Sequence, residues 1–210
     1  MSTAAFPPPA RIRLLQSAMR VTVEQFQRMI ETGIVPEDAT KELLDGVIVP
    51  KDRGNLGDNS MGHSPQHRLA IRKLMFLATR IESGDHHMQI QLPIVLSDIS
   101  APEPDGAIVM GTDADYGDRL PSAADATCVI EAAHSSLERD TETKLPLYAA
   151  AGISQYLVVD LRENRVEVHV DPDRQAETYR SNTIVVKGQP IVLNLGGGQA
   201  LTIDAGEILP

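Results

Sequence analysis

Residues 126–160 read ATCVIEAAHSSLERDTETKLPLYAAAGISQYLVVD, and this stretch decides the fold. The β-branched and apolar residues 126–131 predict a short strand, which ends on the acid Glu131. Apolar side chains recur at helical spacing over residues 137–151, and a glycine typical of a helix end follows them. Residues 156–160 are apolar again and predict a buried strand. A strand, a helix and a second strand in this order indicate a sheet covered by helices.

Further segments extend this sheet on both sides. The strand predicted at residues 156–160 is followed by a short polar turn and by residues 166–170, which predict its hairpin partner. Apolar residues alternate with period two over residues 87–96, and residues 106–110 form another short β-rich run. The remainder has a strand-and-turn pattern with a late break at the glycines 196–198. We therefore predict a mixed sheet flanked by helices.

The N-terminal half supplies helices and a hairpin. Thr22 begins a capping-box pattern, which predicts a helix over residues 23–32. Asp45-Gly46 lies between apolar residues and predicts the tip of a β-hairpin. Residues 51–64 are rich in glycine and predict a mobile loop, after which Ser64-Pro65 opens a second helix. The apolar positions assigned to that helix are Leu69, Leu74, Leu77 and Ile81.

The composition is that of an ordinary globular protein, and the length suits one domain. Hydrophobic residues make up 42% of the 210 residues and charged residues 23%. We expect a flexible, Pro-rich leader at residues 1–20 and a single domain at residues 21–210. The sequence has no long apolar run and no signal-peptide pattern, so we expect a cytoplasmic protein with no membrane span. Cys128, with its apolar neighbours, is interpreted as a small core residue.

The charge is distributed unevenly along the chain. The formal net charge of -10 argues against a general affinity for nucleic acid, because phosphates are bound by lysine and arginine. Residues 98–142, however, hold eleven acids against two arginines, which accounts for most of this excess. Residues 61–80 hold four basic residues and no acid. Near the start of the chain, four arginines outnumber Glu24, and they are Arg11, Arg13, Arg20 and Arg28. The sequence therefore predicts an acidic zone that attracts cations and two basic stretches, although solvated helix faces would give the same pattern.

Asp105, Glu131 and Lys144 have side chains of the types that phosphodiester hydrolysis requires. Hydrolysis of a phosphodiester needs a hard cation held by carboxylates, an activated water, and positive charge near the reacting phosphate. Two carboxylates on neighbouring strands repel each other unless a cation lies between them. The alternative is structural: Asp105 begins a strand, Glu131 ends one, and Lys144 pairs with Asp140 on a solvent-exposed helix face.

Four ordered blocks of sequence carry a resemblance to a known family. The blocks are ELLDG at 42–46, EPDGAIV at 103–109, VIEAAHSSL at 129–137, and DTETKLPLYAAAGI at 140–153 followed by YLVVDL at 156–161. In order and separation they resemble the Uma family of restriction endonucleases, a branch of the PD-(D/E)XK nuclease superfamily. The resemblance extends from about residue 22 to the C-terminus and implies a PD-(D/E)XK core, a mixed α/β sheet flanked by helices.

The resemblance also implies the site residues. As catalytic residues it implies Glu42, Asp105, Glu131 and Lys144. It makes Asp105 and Glu131 the metal carboxylates, with the backbone carbonyl of Ala132 as a further ligand, and Mg²⁺ or Mn²⁺ as the metal. The lysine that usually follows the strand acid by two residues is replaced by Ala133. Lys144, on the following helix, is expected to take its place, because the long lysine side chain can reach back to the metal.

Three functional hypotheses follow from these residues. The first is a metal-dependent DNA endonuclease that acts as a homodimer, since cutting both strands calls for two active sites. In this hypothesis the DNA-binding residues on the basic helix are Arg68, Arg72 and Lys73. The second is an inactive nuclease fold that serves only as a binding module, which Ala133 and the negative charge favour. The third is a hydrolase for RNA or nucleotides that uses the same metal site.

Overall fold

The computed structural model describes residues 19–36, 40–51, 64–82, 85–134 and 136–210. The helices are α1 (Val23–Glu31), α2 (Pro65–Ile81), α3 (Leu137–Arg139), a π-helical turn (Asp140–Lys144) and α4 (Leu145–Ala151). Two 3₁₀ turns cover Asp113–Tyr116 and Ala205–Glu207. The strands are β1 (Lys41–Leu44), β2 (Val47–Pro50), β3 (His86–Ile90), β4 (Gly106–Met110), β5 (Ala126–Ala133), β6 (Gln155–Asp160), β7 (Arg165–Asp173), β8 (Thr178–Val186), β9 (Pro190–Gly196) and β10 (Gln199–Asp204).

Six strands form the central sheet in the order β3-β4-β5-β6-β7-β8. β5 and β6 run parallel, and the other neighbouring strands run antiparallel, so the sheet is mixed as predicted. Parallel neighbours need a crossover connection. Here α3, the π-helical turn and α4 form that crossover, so these helices follow β5 directly along the chain.

The sheet is covered on both faces, and β5 supplies side chains to each. Cys128, Ile130 and Ala132 belong to the apolar cluster that packs against α2. Val129 and Ala133 alternate with them and belong to the cluster under α4. This period-two alternation is the normal geometry of a strand. Glu131 therefore lies on the α4 face of the sheet, the face on which Lys144 lies.

The hairpin of β1 and β2 turns at Asp45 and Gly46, as predicted. Both residues have positive φ values, 47° and 71°, which a tight hairpin turn requires. Leu43 is fully buried and exchanges backbone hydrogen bonds with Ala101, at 2.8 and 3.4 Å. This bridge places the preceding residue, Glu42, beside the segment that leads into β4. α1 packs on the hairpin, and Thr32, predicted as its last residue, is its C-cap.

The predicted strand at residues 87–96 is too long. β3 ends at Ile90, because Gln91 adopts a left-handed conformation with a φ of 53° and turns the chain out of the sheet. Leu92 is consequently 52% exposed, whereas Ile94 is fully buried in the cluster under α4. The apolar alternation continues beyond the turn, which is why the sequence pattern did not reveal the strand end.

The helix predicted after Ser64-Pro65 is present as α2, but its apolar face was partly misassigned. Leu69 is 43% exposed rather than buried. The buried positions follow one another at intervals of three or four residues, and they are His67, Ala70, Leu74, Leu77 and Ile81. Leu69 lies outside this stripe, and one of the buried positions is a histidine rather than an apolar residue.

The remaining predictions concern the leader, the glycine-rich loop, Cys128 and membrane spans. Residues 1–18 of the predicted leader and residues 52–63 of the predicted loop lie outside the described residues. Cys128 is fully buried, and burial raises the pKa of its thiol, which supports its interpretation as a core residue. Within the described ranges, no helix is both long and apolar enough to cross a membrane.

Candidate active site

A small pocket beside the end of β5 brings together the acids that the sequence analysis selected. Glu42 comes from β1, Asp105 directly precedes β4, and Glu131 lies in β5. Lys144 reaches the same pocket from the π-helical turn. All four residues are at most 4% exposed. Residues separated by more than a hundred positions in sequence thus form one buried, polar cluster.

Asp105 is held by contacts on both carboxylate oxygens. Oδ2 accepts a hydrogen bond from the Ala132 backbone N–H at 2.9 Å and contacts Nε2 of His67 at 3.1 Å. Oδ1 accepts from the side-chain amide of Gln91 at 3.2 Å, and Nζ of Lys51 lies 4.0 Å away. Burial opposes ionisation of Asp105, but His67, Lys51 and the Ala132 amide outweigh it and hold its pKa well below the usual range. Asp105 is therefore a carboxylate at neutral pH.

Glu131 has a different electrostatic environment. Its Oε1 accepts hydrogen bonds from Nζ of Lys144 at 2.9 Å and from the Tyr148 hydroxyl at 3.0 Å. Burial nevertheless raises its pKa well above the usual range, and Lys144 offsets only part of this effect. The neighbouring carboxylates of Asp140 and Asp105 act in the same direction as burial. A cation added beside Glu131 would therefore favour the ionised form of this acid.

Lys144 lies at the centre of the acids. Its Nζ is 2.9 Å from Glu131, 3.0 Å from Oε2 of Glu42 and 4.0 Å from Oδ1 of Asp140. Burial disfavours the ammonium, but these carboxylates outweigh burial and raise the pKa of Lys144. The alternative of a solvent-exposed Lys144 is wrong, because the residue is only 3% exposed. Ala133, where the usual lysine would stand, packs instead into the apolar cluster under α4.

The π-helical turn explains why Lys144 faces inward. The N–H of Leu145 bonds to the carbonyl of Asp140, five residues back, as in a π-helix. Pro146 has no N–H to donate and would crowd the carbonyl four residues earlier in a regular helix, which favours a wider turn here. Asp140, Lys144 and Tyr148 are all buried on the side that faces the sheet. The serine at position 136 donates to Oδ2 of Asp140 at 2.6 Å and fixes that side chain.

Several residues of the pocket were not selected from the sequence. Lys51 is 7% exposed and its Nζ lies 2.9 Å from Oε1 of Glu103, yet nothing in its local sequence marks it. His67 could have been found as a polar residue within the buried stripe of α2. The four-residue spacing of Asp140 and Tyr148 on either side of Lys144 predicts one helical stripe with that lysine, but the two residues were not selected as site residues.

The predicted DNA-binding residues do not share one environment. Arg68 and Arg72 are exposed on α2. Lys73, by contrast, donates to the carbonyl of Gly206 at 2.6 Å. Arg80, farther along α2, pairs with Glu207. Lys73 and Arg80 therefore attach the C-terminal segment to α2, and Arg68 and Arg72 are the basic side chains of the predicted trio that remain directed to solvent.

The donor atoms of the pocket suit a hard divalent cation. In the part of the chain that the structure describes, no group of three or more His, Cys, Asp or Glu side chains is arranged to hold a metal ion. Mg²⁺ commonly takes only one or two carboxylates and completes its shell with water and substrate oxygens. Asp105 and Glu131 supply two such carboxylates. The buried Oε1 of Glu42 has no hydrogen-bond partner, and the Arg139 guanidinium lies 3.9 Å from it. An acceptor without a hydrogen bond and an acid whose ionisation a cation favours both fit an added cation.

A family comparison connects this fold with restriction-endonuclease-like proteins. The chain belongs to the Uma2 family, whose model is described as "Putative restriction endonuclease" and matches residues 23–204. The resemblance inferred from the four sequence blocks is thereby confirmed.

A solved structure supports the same fold. The chain is similar to the crystal structure of "a putative nuclease belonging to DUF820" from Anabaena variabilis, with a TM-score of 0.63. The two sequences are 14% identical, and the match covers 90% of this chain and 97% of the other. At that identity the similarity establishes the fold alone, and it confirms the predicted fold class. Comparison with curated proteins gives no match.

Proposed function

We propose that this protein is a metal-dependent DNA endonuclease that hydrolyses phosphodiester bonds. The observation that carries the proposal is the position of Lys144, whose buried ammonium lies 2.9 Å from Glu131. A lysine beside the strand acid is the group that Ala133 cannot supply. Because Lys144 lies in the crossover, its ammonium reaches the pocket and joins the carboxylates of Asp105 and Glu131.

In this proposal Asp105 and Glu131 hold Mg²⁺ or Mn²⁺, and the backbone carbonyl of Ala132 is a further ligand. Glu42 supports the site, since it binds Lys144 at 3.0 Å and accepts the backbone N–H of Glu103 at 3.3 Å. When bound, the metal lowers the pKa of a water molecule and stabilises the negative charge that develops on the phosphate.

The chain's own residues have distinct tasks. Lys144 orients the attacking water and stabilises negative charge on the phosphate in the transition state. The Tyr148 hydroxyl donates to Glu131, and its pKa is raised by burial and by that acid, so it remains a donor. The amide of Ala132 and the ring of His67 hold one oxygen of Asp105. These contacts keep the carboxylates in place before the substrate arrives.

DNA is the proposed substrate, and Arg68 and Arg72 are the proposed phosphate contacts on α2. Both are exposed, and α2 contains no acid in its first turn. Lys73 is part of the same proposal, although it must leave the carbonyl of Gly206 to reach a phosphate. We also propose a homodimer, because two active sites related by a two-fold axis can cut both strands of a duplex.

The experiment is a cleavage assay on supercoiled, linear duplex and single-stranded DNA and on RNA, with Mg²⁺, Mn²⁺ or a chelator. We expect metal-dependent cleavage of DNA by the wild type. Asp105→Asn and Glu131→Gln are the matched controls, because each keeps the side-chain shape but removes the charge. Loss of cleavage in both variants also excludes a contaminating nuclease. If only RNA is cleaved, RNA rather than DNA is the substrate. If no nucleic acid is cleaved at any enzyme concentration, the result favours an inactive binding module.

A further inference from the structure

Gln91 is a backbone outlier in contact with the candidate active site. Its φ of 53° lies in the left-handed region, which residues with a side chain rarely adopt outside asparagine and aspartate. The residue ends β3 and turns the chain away from the sheet. Strained backbone persists where the surroundings enforce it, and it is concentrated at functional sites. A glycine would fit this turn more easily, so the side chain of Gln91 needs a separate explanation.

The contacts of Gln91 supply that explanation. Its backbone N–H donates to the backbone carbonyl of Asp105 at 3.3 Å. Its side-chain amide donates to Oδ1 of the same residue at 3.2 Å. Gln91 thus holds Asp105 at two points, from the left-handed turn that directly follows β3.

The two carboxylate oxygens of Asp105 are fixed by different groups. Oδ2 is held by the Ala132 amide and contacts His67. Oδ1 is within hydrogen-bond distance of Gln91, while Nζ of Lys51 is 4.0 Å from it. The amide of Gln91 therefore holds Oδ1 and, together with the groups on Oδ2, fixes the rotation of the carboxylate group.

We propose that Gln91 is a positioning residue that orients the Asp105 carboxylate for a divalent cation. This inference rests on the proposed function, since it assumes that Asp105 is a metal ligand. Groups that hydrogen-bond to metal ligands typically change metal affinity about ten- to a hundredfold when they are removed. The positive φ at Gln91 is accompanied by a side-chain hydrogen bond to Oδ1 that a glycine at this turn could not make.

Two substitutions separate the amide from the strain. Gln91→Met keeps a long, unbranched side chain and the backbone strain but removes the donor. Gln91→Gly removes both the donor and the strain. Glu177→Gly is the matched control, because Glu177 has the same φ of 53° in an exposed turn between β7 and β8. Both glycine variants therefore relieve backbone strain, but only Gln91→Gly also removes the amide that contacts Asp105.

The measurements are the Mn²⁺ affinity by titration calorimetry and the melting temperature of each metal-free protein. We expect Gln91→Met and Gln91→Gly to weaken Mn²⁺ binding about tenfold or more. We expect the metal-free Gln91→Gly and Glu177→Gly proteins to melt at or above the wild-type temperature. Of these two variants, only Glu177→Gly should bind Mn²⁺ with wild-type affinity. Stable folding with impaired metal binding is a result that a purely structural role would not give.

The outcomes separate this inference from the proposed function. Wild-type Mn²⁺ affinity in Gln91→Met would overturn the positioning role, whatever the protein cleaves. If both Gln91 variants bind Mn²⁺ more weakly but the wild-type protein cleaves no nucleic acid, the positioning role is supported and the nuclease function is contradicted. A wild type that binds no Mn²⁺ would overturn both.

Discussion

Replacement of Lys144 by alanine tests the candidate site most directly. The substitution removes one ammonium from among Glu131, Glu42 and Asp140, which lie 2.9, 3.0 and 4.0 Å from it. Removing one partner of a buried ion pair typically costs about 3–5 kcal/mol, because the remaining charge is left buried. Proton uptake by Glu131 limits this cost, since burial already raises its pKa. We therefore expect Lys144→Ala to be folded but less stable by up to about 3–5 kcal/mol.

The effect of Lys144→Ala on catalysis should exceed its effect on metal binding. Metal affinity should be retained, because the acids lose a competing cation and keep their oxygens. The cleavage rate should fall about 100- to 1,000-fold, the range for loss of one group that stabilises transition-state charge. Lys144→Arg should restore only part of the rate, since a planar guanidinium orients water differently from an ammonium.

The assay is single-turnover cleavage at saturating Mg²⁺, at a temperature where chemical denaturation shows each variant to be folded. Lys187→Ala is the control, because Lys187 is exposed and its loss should change stability by less than about 0.5 kcal/mol. Equal rates for the wild type and Lys144→Ala would refute the catalytic role of the lysine. Equal stabilities would contradict the buried ion cluster itself.

The other predictions concern metal binding, DNA binding and pH. Mg²⁺ should raise the melting temperature of the wild type by mass action, and Asp105→Ala or Glu131→Ala should abolish the shift; a shift retained in both variants would contradict the site. Arg68→Gln and Arg72→Gln should weaken DNA binding for all sequences and flatten its salt dependence, and an unchanged salt slope would exclude α2 from the interface. Burial lowers the pKa of His169, so the stability linked to it is present above the unfolded pKa of about 6.5 and is lost as the pH falls below it. Denaturation at pH 7 and pH 5 should show this loss in the wild type and a smaller loss in His169→Gln.

The elements that the sequence predicted well are those with a strong local pattern. Gly106–Met110 was predicted to the residue, and the turn at Asp45 and Gly46 follows from a dipeptide with a known conformational preference. The crossover helix was predicted from its periodicity and from the glycine that ends it, and Gly152 has the expected left-handed φ of 86°. In each case the residues that determine the structure lie within the element itself.

The features that the sequence did not reveal depend on distant residues. Lys51 joins the site through Glu103, 52 positions away, and no local pattern encodes that contact. Gln91 leaves the sheet within an unbroken apolar alternation, so the period-two pattern overextended β3. Leu69 is exposed because the sheet selects which side of α2 is buried, and that choice placed His67 in the core stripe instead.

The delivery of the lysine by the crossover rather than by β5 has an evolutionary consequence. Ala133 is fully buried in the cluster that also contains Tyr148 and Tyr156. A lysine introduced at position 133 would overfill that cluster and set a second ammonium near the one of Lys144. A single substitution that adds a strand lysine is therefore disfavoured while Lys144 is present, because the protein with both lysines is penalised by packing and by charge. The strand position is instead free to change among small residues, while the conformation of the crossover becomes the constrained feature.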